Sequence, residues 1–399
     1  MPPQSEDKAV VARNVDSLLA FLQRHRHDLR KIKEAHALAL VSGLHRHPSL
    51  ATKLIGLYSL PNLLSHATHA FLDAHFAQPR DPFLWNAIIR AHSRHDSPLG
   101  ALSLYTQMLS SSLYPDGFTF PFAFKACASV RDIGLTRLVH GQAAVLSLSR
   151  DGLVGTALVS AYARCCAPED ATKVFDEMCR RDGVAWTALV SAYSMNGWAD
   201  EAFEAFGKMM GLGCVVDSVT LSSLLLACTR DLWRACRVHA FVAKAGFECY
   251  ASVCNSLIDA YAKCGAYDEA MRVFRSQSFT KDVVSWNTVI AGLALNKQSD
   301  KALAVYEEMT GEGVKPNRIT LLSLLPACGE FGCSKTAKIV HESFANDAWF
   351  DVEADVVVAT ALIHMHAKCG NMELARDLFE KLERKWLRRE TQSPTRLRL

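Results

Sequence analysis

Six pairs of polar side chains along this chain carry the hydrogen-bonding groups that recognition chemistry needs. In each pair, an asparagine or threonine is followed 26–30 residues later by an aspartate or asparagine. The pairs are Thr52 with Asp81, Asn86 with Asp116, Thr156 with Asp182, Thr187 with Asp217, Asn255 with Asp282, and Asn287 with Asn317. Amides, hydroxyls and carboxylates can donate or accept hydrogen bonds to a bound partner. The second member of each pair has an alternative role, because aspartate or asparagine just before a helix is a common N-cap.

Motifs for catalysis and metal binding are absent from the sequence. It contains no Cys-x-x-Cys, no His-Glu-x-x-His and no Gly-x4-Gly-Lys-Ser/Thr, which argues against the common zinc, metalloprotease and phosphate-loop sites. The recurring histidines fall in different structural units and so form no common metal site; they are His36, His140, His239 and His341. We therefore expect no enzymatic activity, no cofactor and no metal.

The thirteen cysteines are an odd number, which favours free thiols in a reducing compartment. Six of them recur at equivalent positions, namely Cys127, Cys228 and Cys328, and then Cys165, Cys264 and Cys369. A free cysteine is a small buried hydrophobe in most helical packing. We therefore predict that these cysteines pack in the core.

The polar pairs are placed by a unit of about 100 residues that recurs three times. Trp85, Trp186 and Trp286 are 101 and 100 residues apart, and the dipeptides that end at Cys127, Cys228 and Cys328 have the same spacing. The tryptophans lie in the packing phase of a helix, so we predict that they pack in the core and that base stacking is a lesser alternative.

Each hundred-residue unit divides into three parts. The predicted parts are 82–116, 117–151 and 152–182, then 183–217, 218–250 and 251–282, then 283–317, 318–355 and 356–385. Residues 33–81 resemble degenerate copies of the second and third parts, and they follow an N-terminal segment of residues 1–32. Residues 13–33, which are rich in arginine, histidine and lysine, already have a helical and repeat-like pattern. Residues 386–399 form a basic tail that we expect to be disordered.

Each part has the pattern of two helices. In residues 183–217, Leu189, Val190 and Tyr193 have helical spacing, and Asn196-Gly197 interrupts the run before a second apolar stripe. Such a two-helix unit cannot bury both apolar stripes alone, so neighbouring units must stack. The pattern predicts an all-α, right-handed α-solenoid of tandem helix-turn-helix repeats with one concave groove.

The residues that recur in each repeat resemble the consensus of the pentatricopeptide repeat (PPR) of plant organelle RNA-binding proteins. The phrases that carry the resemblance are Val283-Val284-Ser285-Trp286-Asn287, Lys301-Ala302-Leu303, and Gly313-Val314-Lys315-Pro316-Asn317. The alternation of part lengths resembles the PLS subclass, over roughly residues 33–385. Many members of that subclass carry a C-terminal deaminase-like domain with a zinc signature, which this sequence lacks. That difference suggests a truncated gene model or splice form.

The resemblance implies sequence-specific binding of single-stranded RNA, one base per repeat, by the fifth and last residues of each repeat. The six pairs above occupy those positions. The resemblance implies the sequence 5′-G-U-x-G-G-x-U-C-3′, in which x marks the middle parts, where position five is Pro121, Ser222 or Leu322. The residues that would flank the base, at position two, are Phe83, Leu153, Val184, Ser252 and Val284.

The resemblance also implies a mitochondrial or chloroplast location and a role in RNA editing or other RNA processing. RNA-editing accessory proteins, or a deaminase acting in trans, would then supply the chemistry. The N-terminus shows no clear transit peptide, and no apolar stretch predicts a membrane span. The net charge of +3 supports nucleic-acid binding only weakly. A protein-binding scaffold and a non-functional fragment remain the alternatives.

Overall fold

The computed structural model describes residues 15–60, 63–75, 82–95, 97–276, 278–345 and 355–391. Within those ranges the chain forms twenty-two α-helices, two short 3-10 turns and no strand. This agrees with the all-α prediction. The chain divides into two compact units, and the second unit begins at Val216.

The first unit contains six helix pairs. Their first helices are Val15–Arg24, Pro48–Ser59, Pro82–Arg94, Thr119–Val130, Gly152–Arg164 and Gly183–Met195. Their second helices are Leu29–Val41, Leu64–His75, Pro98–Ser110, Ile133–Val145, Pro168–Glu177 and Ala199–Gly211.

The second unit contains five helix pairs. Their first helices are Ser218–Leu226, Ala251–Lys263, Val283–Leu295, Arg318–Phe331 and Val356–Lys368. Their second helices are Leu232–Lys244, Tyr267–Arg275, Ser299–Gly311, Ser334–Ala345 and Met372–Thr391.

Two predicted boundaries differ from the structure. The boundary at residue 33 falls inside helix Leu29–Val41, whose N-cap Asp28 accepts bonds from the N–H groups of Arg30 and Lys31. The first helix pair therefore begins within the predicted N-terminal segment. The basic tail was expected to be disordered from residue 386, but residues 386–391 belong to helix Met372–Thr391.

Within each unit, every first helix packs against the first helix of the next pair. Every second helix packs against its own first helix, and most also contact the first helix that follows. Each unit is thus a stack of helix hairpins, with the first helices in one row and the second helices behind them. This is the α-solenoid architecture, in which each repeat buries its apolar stripes against its neighbours.

The recurring tryptophans are core residues. Trp85, Trp186 and Trp286 are 2%, 6% and 0% exposed. Each packs edge-on against a phenylalanine of the preceding repeat, with ring centroids 4.7–4.9 Å apart, and the partners are Phe71, Phe175 and Phe274. The packing of one repeat on the next therefore explains the spacing of the tryptophans in the sequence.

The recurring histidines and cysteines also join neighbouring helices. Three histidines bind a tyrosine hydroxyl through Nδ1 at 2.8–3.0 Å, in the pairs His36–Tyr58, His140–Tyr162 and His239–Tyr261. All thirteen cysteines are free thiols. Cys264 and Cys369 donate their thiols to the carbonyl oxygens of Cys228 and Cys328 at 3.3 and 3.4 Å. Burial raises the pKa of Cys228 and of Cys328 to about 12, which keeps these thiols protonated and in a packing role.

Candidate nucleic-acid interface

The predicted base-flanking side chains lie at the starts of first helices and are exposed. Phe83, Leu153, Val184 and Val284 are 54–68% exposed, and Ser252 is exposed as well. Large apolar side chains at a repeated, solvent-facing position are unusual on a surface that contacts only water. Each of them is the second residue of its first helix, so the exposed position recurs from repeat to repeat.

Asn86 and Asp116 form one hydrogen-bonded network. The amide Nδ2 of Asn86 lies 3.1 Å from Oδ1 and 3.2 Å from Oδ2 of the Asp116 carboxylate. Asp116 Oδ1 also accepts bonds from the backbone N–H groups of Phe118 and Thr119 at 2.9 and 2.8 Å. Asn86 is 7% exposed. The fifth and last residues of this repeat therefore meet at one point, just before the next first helix.

Asn287 and Asn317 repeat this arrangement in the second unit. Asn287 Nδ2 donates to Asn317 Oδ1 at 3.2 Å. Asn317 Oδ1 also accepts from the N–H groups of Ile319 and Thr320 at 2.9 and 3.0 Å. Because the cap holds the oxygen of Asn317 against the helix, its amide nitrogen must point away from the helix. This site therefore presents a donor where Asp116 presents a carboxylate.

Asn255 and Asp282 form a third linked pair. Burial raises the pKa of the Asp282 carboxyl, but hydrogen bonds from Ser285, from Asn255 and from the N–H of Val284 outweigh it, and the net pKa is lowered. Ser285 supplies two of these bonds, from its N–H and from its hydroxyl, both at 2.9 Å. Asp282 is thus held in its charged form beside the Asn255 amide.

The threonine sites are organised differently. The hydroxyls of Thr156 and Thr187 donate to the carbonyl oxygens of Gly152 and Gly183 in their own helices, at 2.7 and 2.8 Å. Asp182 is exposed and caps its helix through the N–H of Ala185 at 3.0 Å. Asp217 caps its helix in the same way through the N–H of Thr220 at 2.8 Å. Thr187 lies in the first unit and Asp217 in the second.

The pair at the start of the array is only half described. Thr52 lies in helix Pro48–Ser59, and its hydroxyl oxygen is buried without a hydrogen-bond partner among the described residues. Asp81 lies outside the described residues. The pairing of Thr52 with Asp81 stays a prediction.

Helix capping and base recognition are alternative roles for the last residue of a repeat, but the geometry allows one residue to have both. A cap uses one oxygen, whereas aspartate has two and asparagine retains its amide nitrogen. Asp116 and Asn317 bind N–H groups at the start of a helix and a fifth-position side chain at once. The capping bond therefore orients the group that remains available.

Sequence reasoning missed several members of this surface. Phe118, Val219, Ile319 and Val357 are 57–62% exposed at position two of their repeats. The signal was present, because each follows a predicted repeat boundary by the same offset as Val184. Phe118, Val219 and Ile319 lie in middle repeats, where position five predicts no base, and Val357 lies in the last of the short repeats.

Basic residues end several of the first helices. These are Arg94, Arg164, Lys263 and Lys368. Arg90 is exposed four residues before Arg94, and partial burial together with the Arg94 guanidinium lowers the pKa of Arg90. Two like charges four residues apart repel each other, and a bound anion would relieve that repulsion.

The described ranges of residues contain neither a cluster suited to a metal ion nor a helix suited to crossing a membrane. No three His, Cys, Asp or Glu side chains there lie close enough together to hold a metal ion. Among the helices of those ranges, none has the length and apolar character needed to cross a membrane.

A stack of helix hairpins with a repeated polar pair defines a helical-repeat binding protein. The PPR repeat model matches residues 83–113, 156–182, 184–214, 252–276 and 357–387, and the PPR repeat family model matches residues 281–330. The chain belongs to the PPR repeat family.

The relatives are plant proteins. One pentatricopeptide repeat-containing protein of Arabidopsis thaliana is 32% identical over 373 residues, which cover 92% of this chain and 53% of the relative. A second, named mitochondrial, is 34% identical over 323 residues, which cover 78% of this chain and 49% of that relative. The chain thus spans about half the length of the curated relatives it matches.

The fold is also that of a solved PPR protein. The crystal structure of PPR10, in complex with an 18-nucleotide psaJ RNA element, matches 92% of this chain and 60% of PPR10, with a TM-score of 0.62 and 18% sequence identity. At that identity the likeness concerns the fold alone.

Proposed function

We propose that this protein binds single-stranded RNA sequence-specifically, with one base per repeat. The observation that carries the proposal is the linkage of Asn86 to Asp116 and of Asn287 to Asn317. In each pair, the fifth and last residues of a repeat meet beside an exposed apolar side chain. One such cluster per repeat is the arrangement that would read one base edge and flank one base plane.

Each pair offers a different combination of donor and acceptor. Thr156 gives its only hydroxyl proton to Gly152, so it can only accept from a base, as can the Asp182 carboxylate. Two acceptors match the two donors of guanine. Asn86 with Asp116 offers a donor and an acceptor, which match uracil. Asn287 with Asn317 offers two donors, which match the O2 and N3 acceptors of cytosine. These matches support the expected sequence 5′-G-U-x-G-G-x-U-C-3′.

Binding of the full chain to short RNAs tests this function. Fluorescence anisotropy would compare an RNA that contains 5′-GUAGGAUC-3′ with a scrambled RNA of the same composition. We expect at least about tenfold tighter binding to the first, since one mismatched base usually costs about 1–3 kcal/mol. Both affinities should fall as salt rises, because phosphate contacts release counterions. Equal affinity for the two RNAs would overturn sequence-specific recognition.

We further propose that the protein acts in RNA editing or another RNA-processing step in a mitochondrion or chloroplast. Relatives named mitochondrial and chloroplastic support an organellar location. We expect no catalytic activity from the repeats themselves, so an accessory protein or a deaminase bound in trans would supply any base chemistry. The test is import of a fluorescent fusion into isolated plant organelles, followed by sequencing of RNA that co-purifies with the protein. Exclusion from both organelles would contradict this role.

A further inference from the structure

Two buried threonines contact the base-reading asparagines from the next repeat. Thr119 and Thr320 are both 0% exposed, and their hydroxyl oxygens lie 2.6 Å from Oδ1 of Asn86 and of Asn287, respectively. We infer that Thr119 and Thr320 are specificity-determining residues, which occupy the amide oxygen of the reading asparagine and leave only its N–H groups to face a base. The inference rests on the proposed RNA-binding function.

The single proton of each threonine hydroxyl decides the direction of this bond. Thr119 Oγ1 accepts the backbone N–H of Asp116 at 3.0 Å. Its own proton can go to Asn86 Oδ1 at 2.6 Å or to Asp116 Oδ1 at 2.9 Å. The nearer acceptor is the asparagine, and Asp116 Oδ1 already accepts two backbone N–H bonds.

The same choice recurs around Thr320. Its hydroxyl lies 2.6 Å from Asn287 Oδ1 and 3.2 Å from Asn317 Oδ1, and it accepts the N–H of Asn317 at 2.9 Å. The oxygen and nitrogen of an asparagine amide have nearly the same shape, so the hydrogen-bond network alone sets their orientation. A flipped Asn86 would turn its oxygen toward the Asp116 carboxylate, and two acceptors would repel each other.

Asn255 provides an internal contrast. The third residue of its following repeat is Ser285, whose hydroxyl donates to Asp282 Oδ1 at 2.9 Å. Asn255 Oδ1 is buried and has no hydrogen-bond partner among the residues that the structure describes. No hydrogen bond holds that oxygen in its buried position, so the Asn255 amide can turn it toward a base. Asn86 and Asn255 are both expected to read uracil, yet only Asn255 can accept from the exocyclic amine of cytosine. We expect stronger discrimination of uracil from cytosine at the base of Asn86.

The test uses the full chain and RNAs that differ only by U or C at base 2 or base 7 of 5′-GUAGGAUC-3′. Thr119→Val keeps the side-chain shape but removes the hydroxyl. We expect the U-to-C preference at base 2 to fall about fivefold, the scale of one neutral hydrogen bond, with base 7 unchanged. Thr119→Ser, which keeps the hydroxyl, should retain the wild-type preference.

Ser285→Ala is the matched control. It removes a hydroxyl that caps the last residue of a repeat but does not bind the reading amide, so the preference at base 7 should stay unchanged. A fall there equal to that in Thr119→Val would mean that the cap alone acts, and would overturn the inference.

The failure of this inference is distinct from that of the proposed function. If wild-type protein discriminates bases and folded Thr119→Val discriminates equally well, the threonine role is wrong and RNA recognition stands. If wild-type protein binds inferred and scrambled RNA equally, recognition itself is wrong. Should Thr119→Val not fold by circular dichroism, Thr320→Val replaces it. Its expected result is a lower preference for cytosine over adenine at base 8, and an unchanged preference overturns the inference.

Discussion

The asparagine sites and the threonine sites occupy the same position in their helices but are held in different ways. Asn86 is bonded to the last residue of its own repeat, 30 residues away, whereas Thr156 is bonded to its own helix, four residues back. The first kind of site is a unit of two side chains that depend on each other. The second kind has a fifth residue whose hydrogen bond does not involve the last residue.

This difference separates two roles of the last residue. Asp182 caps a helix through the N–H of Ala185. Asp116 accepts the N–H groups of Phe118 and Thr119 where the next first helix begins, and it also satisfies the buried amide of Asn86. A buried polar group that loses its partner costs more than an exposed cap that is lost. The stability of the fold is therefore more sensitive to substitution at the asparagine sites.

The largest expected effect compares Asp116→Ala with Asp182→Ala. Loss of the Asp182 cap should lower the free energy of unfolding by about 1 kcal/mol. Loss of Asp116 should lower it by about 2–3 kcal/mol, because the Asn86 amide also loses an acceptor. Urea unfolding followed by far-UV circular dichroism measures both variants. Equal losses would show that the Asn86–Asp116 bond contributes nothing to stability.

The next effect is on base preference, through a reciprocal exchange between the two kinds of site. Thr156 and Asn255 occupy the same position in successive short repeats, and both are half-buried, so each place can accept the other side chain. Thr156→Asn replaces an acceptor by a donor and should shift the preference at base 4 from G toward U. Asn255→Thr should shift base 7 from U toward G.

Each shift should be about tenfold, since one base contact usually discriminates by about 1–3 kcal/mol. Anisotropy titrations with single-base RNA variants measure it, and bases 2 and 8 serve as internal controls in the same RNAs. A uniform loss of affinity without a change of preference would argue that position five only supports the helix.

The contrast between the sites could be predicted from sequence only in part. The pairs, the repeat boundaries and the buried tryptophans follow from a period of about 100 residues, because packing between repeats constrains side-chain type at fixed offsets. The hydrogen bonds of a fifth residue do not follow from that period. The hydroxyl of Thr119 bonds to Asn86, whereas the hydroxyl of Ser285 does not bond to Asn255 Oδ1. The spacing of residues does not predict this difference, because a shift well under 1 Å decides whether such a bond forms.

The helical turns at the two ends could be predicted to different degrees. Residues 13–33 have a helical, repeat-like pattern in the sequence, whereas residues 386–391 were expected to be disordered. Their amphipathic pattern is sufficient for helix formation even where the consensus residues are absent. The repeat consensus therefore predicts the polar pairs better than it predicts where the helices of the fold begin and end.

The smallest effect concerns pH at the Asn255–Asp282 site. The lowered pKa of Asp282 means that its charged form stabilises the folded chain above the ordinary aspartate value, and that this contribution is lost as pH falls through the folded-state pKa. Asp282→Asn keeps a capping oxygen and copies the Asn287–Asn317 pair, but cannot titrate. Between about pH 5 and pH 3, the wild-type urea midpoint should therefore fall faster than that of Asp282→Asn. From pH 6 to pH 8 the two midpoints should stay a constant distance apart. Parallel curves at acidic pH would mean that the bonds to Asp282 do not depend on its charge, and that the two asparagine pairs are held equally well by a carboxylate and by an amide.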